Sequence, residues 1–127
     1  MSEVSEAEVY NVIGEEGFTR LVAAFYRRVP ADPVLGSMYP RNDFVGAEAR
    51  LRGFLIQRFG GPDDYSRQRG HPRLRMRHAP FTVDAVAREH WLALMEQALI
   101  EVKLPEAVAQ VLWDYFQSTA TFMINAE

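Results

Sequence analysis

The run Gly70-His71-Pro72-Arg73-Leu74-Arg75-Met76-Arg77-His78-Ala79-Pro80-Phe81 gathers two of the chain's three histidines and three of its arginines into twelve residues. The chain has no cysteine, so histidine is the best ligand it can offer a soft or borderline metal. A neutral imidazole supplies a nitrogen donor, and arginine supplies fixed positive charge in a planar fork that suits a carboxylate or phosphate. One segment therefore offers the means to hold a metal and the means to hold an anion. Between Pro72 and Pro80, Leu74–Ala79 has room for little more than about one and a half turns of helix. At about 100° per residue, such a turn sets Leu74 and Arg75 on either side of His78 and sends Arg73 and Arg77 elsewhere. A histidine on a short rigid piece suits an axial metal ligand, such as the one haem iron commonly takes, and haem propionates need arginine-like donors. The plain alternative is a capping or core histidine beside a solvated basic face, and the segment by itself leaves the two readings evenly weighted.

Outward from this run the chain reads as helical almost throughout. Ser5-Glu6-Ala7-Glu8 has capping-box spacing, and a short helix follows to about Ile13, ended by Gly14. Phe18, Leu21, Val22, Phe25 and Val29 form one apolar face, stopped by Pro30 and Pro33. Asp32–Met38 holds at most one short turn. Phe44, Ala47, Leu51, Phe54 and Leu55 define the next face, which Gly60-Gly61-Pro62 terminates. Asp63–Pro72 reads as an ordered loop with few apolar anchors. After the basic run, Thr82 is the expected N-cap of a long helix with Val83, Val86, Ala87, Trp91, Leu94, Met95, Ala98 and Val102 inward. A last helix begins near Pro105, with Val108, Val111, Leu112, Tyr115, Phe116, Phe122 and Met123 on its inner face. No strand alternation or internal repeat stands out.

The bulk numbers bound the function. A length of 127 residues suits one domain with one core. Thirteen of the fourteen basic residues are arginine, and five of those lie between Arg67 and Arg77, yet the net charge is −3. That balance disfavours a general nucleic-acid or membrane-surface role. No apolar run approaches the ~20 residues needed to span a bilayer, and the polar, acidic start is unlike a signal peptide. The expected location is cytoplasmic. If the segment holds haem, a diatomic ligand there carries partial negative charge and needs a hydrogen-bond donor. The donors able to reach an apolar interior are Tyr26 and Trp91, with Tyr39 as a third. Their bland reading is that of core aromatics bonded to backbone acceptors.

Phe25-Tyr26, Asp32-Pro33-Val34-Leu35, Met38-Tyr39-Pro40, Gly46-Ala47-Glu48, Arg50-Leu51-Arg52, Phe54-Leu55, Gly60-Gly61-Pro62, the run Arg69–Phe81 and Trp91-Leu92 together resemble the truncated haemoglobins of group II. The resemblance covers about Tyr10 to Asn125. It implies an all-α truncated globin fold, a two-over-two helical sandwich around haem b, in a single domain spanning residues 1–127. It implies His78 as the proximal iron ligand and Tyr26, Tyr39 and Trp91 in the distal pocket. Ala47 would stand where many globins have a distal histidine, and Leu51, Phe54 and Phe81 would line the haem beside Leu74. Arg50, Arg75 and Arg77 are candidates for the propionates, with Tyr65 and His71 after them. Helix geometry favours Arg75, whereas the family pattern points as much to Arg50 and Arg77. Two features depart from the family. Gly14-Glu15-Glu16-Gly17 replaces a double glycine in the first turn, and Met1–Glu8 extends beyond the family core and is expected to be mobile. His90 is not a motif residue, and its helical position predicts surface exposure.

The resulting expectation is a haem b protein that binds oxygen and related small ligands at a five-coordinate iron, with hydrogen bonds from Trp91 and Tyr26. The alternative is a redox enzyme on the same haem, peroxidase-like or oxidising nitric oxide, which would need a reductase to cycle. A haem-free helical module binding RNA through Arg67–Arg77 is a third reading, and the net charge and the lack of a stacking surface weigh against it. A homodimer is left open.

Overall fold

The computed structural model describes residues 4–39, 43–70 and 83–125, and these are helical with no strand among them. Among the described residues, five α-helices follow in order: α1 (Val9–Arg28), α2 (Phe44–Arg58), α3 (Asp64–Arg69), α4 (Ala85–Val102) and α5 (Glu106–Phe122). Short 3₁₀ turns stand at Glu6–Glu8, Val29–Ala31 and Leu35–Ser37. Helix α1 packs against both α2 and α4, and α4 also packs against α5. The core fills the space between these pairs. Among the described residues, no helix is long and apolar enough to cross a membrane.

The first helix shows how local chemistry sets the frame. Ser5 N–H and Oγ both donate to the Glu8 carboxylate, at 3.1 and 2.8 Å, closing the capping box. Glu6 pairs with Arg58 at 2.9 Å, so the segment expected to be mobile is tied to α2 from Ser5 onward. Gly14 breaks the helix at φ 64°, ψ −176°, a region that only glycine enters cheaply. The looser glycine pair thus still makes the kink. Beyond it Phe18, Leu21, Val22, Phe25 and Val29 are all fully buried, as their spacing requires.

Four local expectations are corrected. Asp63–Pro72 is not simply a loop: Asp64–Arg69 forms α3, and its Tyr65 is buried against Phe54 with ring centroids 5.7 Å apart. Gln57 holds that helix in place by donating to Ser66 Oγ at 2.7 Å and accepting from Ser66 N–H at 2.8 Å. One aromatic and one amide pair are enough to dock a six-residue helix that apolar periodicity cannot reveal. The N-cap of α4 is Asp84, not Thr82, and its carboxylate accepts from Ala87 N–H at 2.8 Å. Aspartate is the stronger cap of the two. On α4, Val86 is exposed whereas Leu92 and Leu99 are buried. The helix lies between α1 and α5, so its buried surface is wider than one stripe. Phe122, in the last turn of α5, is likewise exposed rather than inward.

Two ends close the frame. Lys103 takes a left-handed conformation to stop α4. Asn125 exchanges 2.8 Å hydrogen bonds with Val83, side chain to N–H and N–H to carbonyl, so the end of α5 returns to the start of α4.

Candidate functional site

Three elements bring three polar aromatic tips together. Tyr26 comes from the last turns of α1, Tyr39 follows the 3₁₀ turn at Leu35–Ser37, and Trp91 comes from the second turn of α4. Phe25 organises them. It is fully buried, meets Tyr26 edge-on at 5.1 Å and lies 5.1 Å from Trp91. Tyr26 meets Tyr39 edge-on at 5.6 Å, and Tyr39 stacks beside Phe44 at 6.3 Å. Phe116 of α5 closes the other side of Trp91 at 5.4 Å. Such edge-to-face pairs fix ring planes as well as burying area, so the positions of the three polar atoms are set by packing.

The hydrogen bonding has a direction. Burial pushes the Tyr26 phenol far above its ordinary value, and the neighbouring Tyr39 and the bond to it push further the same way. Burial also pushes Tyr39 up, partly offset by its bonds with Trp91 and Tyr26. The indole N–H of Trp91 can only donate, so Tyr39 accepts from it, and the Tyr26 and Tyr39 hydroxyls share one further bond. Three polar protons and two bonds leave one phenol proton with no acceptor among the described residues. A phenol that receives hydrogen bonds and keeps its own proton is a polarised donor, and at neutral pH both tyrosines stay protonated.

The wall beside this cluster is apolar. Ala47 and Phe54 are buried on α2, while Phe44 and Leu51 are half-buried on the same helix and pack on the core. Ala47 has no side chain beyond Cβ. Arg50 pairs with Asp43 at 3.1 Å, with both side chains well exposed. An exposed pair of that kind is worth little, so Arg50 can exchange Asp43 for another anion. Its charge is also felt at Tyr26, where it opposes the effect of burial. Arg69 lies over the Tyr65 ring, 6.0 Å from its centroid.

The structure thus brings Tyr26, Tyr39 and Trp91 together and places Ala47, Arg50, Leu51 and Phe54 on one neighbouring helix, with Tyr65 against Phe54. His71, Leu74, Arg75, Arg77, His78 and Phe81 lie outside the described residues. The donor set fits haem with a small ligand on one face: an apolar wall, only a methyl group at Ala47 and one polar proton with no acceptor among the described residues.

Sequence reasoning missed one pair. His90 is only about one-third exposed, and its Nδ1 lies 3.0 Å from the Asp32 carboxylate. Asp32 also accepts from Val34 N–H at 2.9 Å and Leu35 N–H at 2.8 Å. Burial pushes the Asp32 carboxyl up, but the Leu35 N–H, the His90 ring and the Val34 N–H outweigh it and hold the carboxyl below its usual value. The signal in the sequence was Asp-Pro at the start of a turn, a common self-capping pattern. Nothing in the sequence pointed from it to His90.

Comparison with known proteins adds independent findings. Residues 8–125 match the family model for bacterial-like globins. The group 2 truncated haemoglobin of Bacillus subtilis is 36% identical over 116 residues, covering 91% of this chain and 87% of the relative. The crystal structure of a thermostable haemoglobin from the actinobacterium Thermobifida fusca superposes with a TM-score of 0.89 at 50% identity, covering 92% of this chain and 96% of that one. The structure of a truncated oxygen-avid haemoglobin from Bacillus subtilis superposes at 0.88 with 36% identity, covering 92% and 98%.

Proposed function

Because this chain belongs to the bacterial-like globin family, in its group II truncated branch with haem b as cofactor, we propose that it retains oxygen through the joint action of Tyr39, Trp91 and Tyr26. The haem iron supplies the bond to the diatomic ligand. His78 is the residue to hold that iron, with Arg50, Arg75 and Arg77 as partners for the propionates. Leu51, Phe54, Leu74 and Phe81 would form the apolar walls. Ala47 offers no ligand from position 47, so a five-coordinate iron would be expected before the ligand enters.

The observation that carries this reading is the meeting of Tyr26, Tyr39 and Trp91 around the buried Phe25, with the two tyrosines edge-on at 5.6 Å. Their three polar protons outnumber the bonds among them, so one phenol proton has no acceptor among the described residues. A ligand with partial negative charge is the acceptor this arrangement is built for. We assign that donor to Tyr39, which the Trp91 N–H polarises, while Trp91 and Tyr26 can themselves turn to the ligand. The oxygen-avid behaviour named for the Bacillus subtilis relative supports slow release.

Oxygen dissociation from the haem-loaded protein is the test. Tyr39→Phe and Trp91→Phe are expected to release oxygen about tenfold or more faster, the equivalent of one hydrogen bond, and Tyr26→Phe less. If all three release oxygen at the wild-type rate, the distal assignment is wrong. A His78→Ala protein that takes up haemin with an unchanged visible spectrum would overturn the proximal assignment.

A further inference from the structure

Two segments meet twice at the distal cluster. The first runs from Asp32 to Tyr39, and the second contains the adjacent residues His90 and Trp91. Asp32 and His90 form one bridge, and Tyr39 with Trp91 forms the other. The stretch between Asp32 and Tyr39 is stiff. Gly36 N–H donates to the Asp32 carbonyl at 2.9 Å, Met38 N–H donates to the Leu35 carbonyl at 2.9 Å, and Leu35 is buried in the core. One carboxylate therefore holds the start of the turn through Val34 and Leu35 and simultaneously holds α4 through His90. His90 is a single residue from Trp91 on a helix, so fixing its ring fixes the rotation of α4 at Trp91.

From this geometry we infer that His90 and Asp32 are positioning residues: their contact sets the register in which the Trp91 N–H meets the Tyr39 oxygen. Neither touches the ligand. They act through the rigid turn on one side and one helical step on the other. The inference rests on the distal reading of Tyr39 only for its consequence on ligand release. The structural part, the placement of Trp91 against Tyr39, stands apart from it.

The experiment uses the haem-loaded ferrous protein with carbon monoxide, which allows two measurements on one sample. The first is the indole N–H resonance of Trp91, with Trp113 on α5 as an internal reference and Trp91→Phe for assignment. The second is the carbon monoxide stretching band, which reports donors facing the ligand. In His90→Leu the Trp91 resonance is expected to move while that of Trp113 stays, and oxygen release is expected to rise about three- to tenfold, part of one hydrogen bond. His90→Asn, whose Nδ2 can replace the imidazole Nδ1 as donor, is expected to restore both. Asp32→Asn keeps an acceptor for Val34 and Leu35 but loses the charge, and should move the Trp91 resonance in the same direction by less. A Trp91 resonance unmoved in both His90→Leu and Asp32→Asn overturns the inference, as does a shift that His90→Asn fails to restore. A restored shift with an unchanged carbon monoxide band upholds the positioning role and removes Tyr39 from the ligand.

Discussion

Tyr39 and Tyr115 are both half-buried tyrosines whose phenols burial pushes upward, and they stand in two separate aromatic clusters. Around Tyr115, Phe59 packs edge-on at 5.0 Å and continues to Phe18 and Tyr10. Its oxygen receives bonds from Thr119 and from Arg58, whose guanidinium sits 4.8 Å over the ring and pairs with Glu6. Tyr39 shares its bonds with Trp91 and Tyr26, which are wedged around the buried Phe25. The donors to Tyr115 are a surface cation and a helix hydroxyl, so its polarity faces the solvent side and serves the fold. The partners of Tyr39 are aromatic residues within the packing, so its polarity is directed inward. Residue type is the same and both are half-buried. On the proposed reading, what separates a structural tyrosine from a ligand-facing one is where its partners come from.

The largest expected effect breaks both clusters at their hubs. Phe18 and Phe25 are each fully buried, and replacing either with alanine should cost about 3–5 kcal/mol of stability by chemical denaturation. Only Phe25→Ala should also change oxygen release, because it alone supports Tyr26 and Trp91. Equal release from both variants would erase the distinction. The second effect isolates the tyrosines. Tyr115→Phe should lower stability by about 0.5–1.5 kcal/mol, one net hydrogen bond, and leave oxygen dissociation within about twofold of wild type. A tenfold change would mean that the far cluster reaches the ligand.

How legible this was differs between the helices and their contacts. The apolar spacing of α1 was readable because a single stripe faces the core, and Phe18 through Val29 came out buried as expected. Helix α4 was misread at Val86, Leu92 and Leu99 because it touches neighbours on two sides, which no one-stripe pattern encodes. Helix α3 was missed because Tyr65 and the Gln57–Ser66 pair dock it, a tertiary choice with no local period. In the site, Tyr26, Trp91 and Tyr39 were legible as donors able to reach an apolar interior, and the resemblance placed them in one pocket. That they meet around Phe25 came only from the structure, since sequence carries no information on which rings pack together. Asp32 and His90 are 58 residues apart, a separation across which a lone histidine gives no clue to its partner.

The smallest effect, at Glu6, comes from how each end is tied down. The distal end has Asp32–His90, with the Asp32 side chain only 10% exposed. The far end has Arg58–Glu6, exposed at 37% and 48%. An exposed pair contributes about 0–1 kcal/mol, so Glu6→Ala should scarcely change stability near pH 7. Asp32→Ala removes two turn-capping bonds and the contact with His90 together, and should cost about 1–3 kcal/mol there. Its pH dependence follows from the depressed carboxyl. The unfolded chain takes up the proton first, near the ordinary aspartate value of about 3.9, while the folded protein still resists it. Stability from Asp32 is therefore fully present above that value and fades as pH falls through the lower folded value. The gap between wild type and Asp32→Ala, measured by urea unfolding, should narrow below about pH 4. A gap that widens below about pH 4 would show that Asp32 is held by burial and not by its three donors, and this end would then owe its order to packing alone.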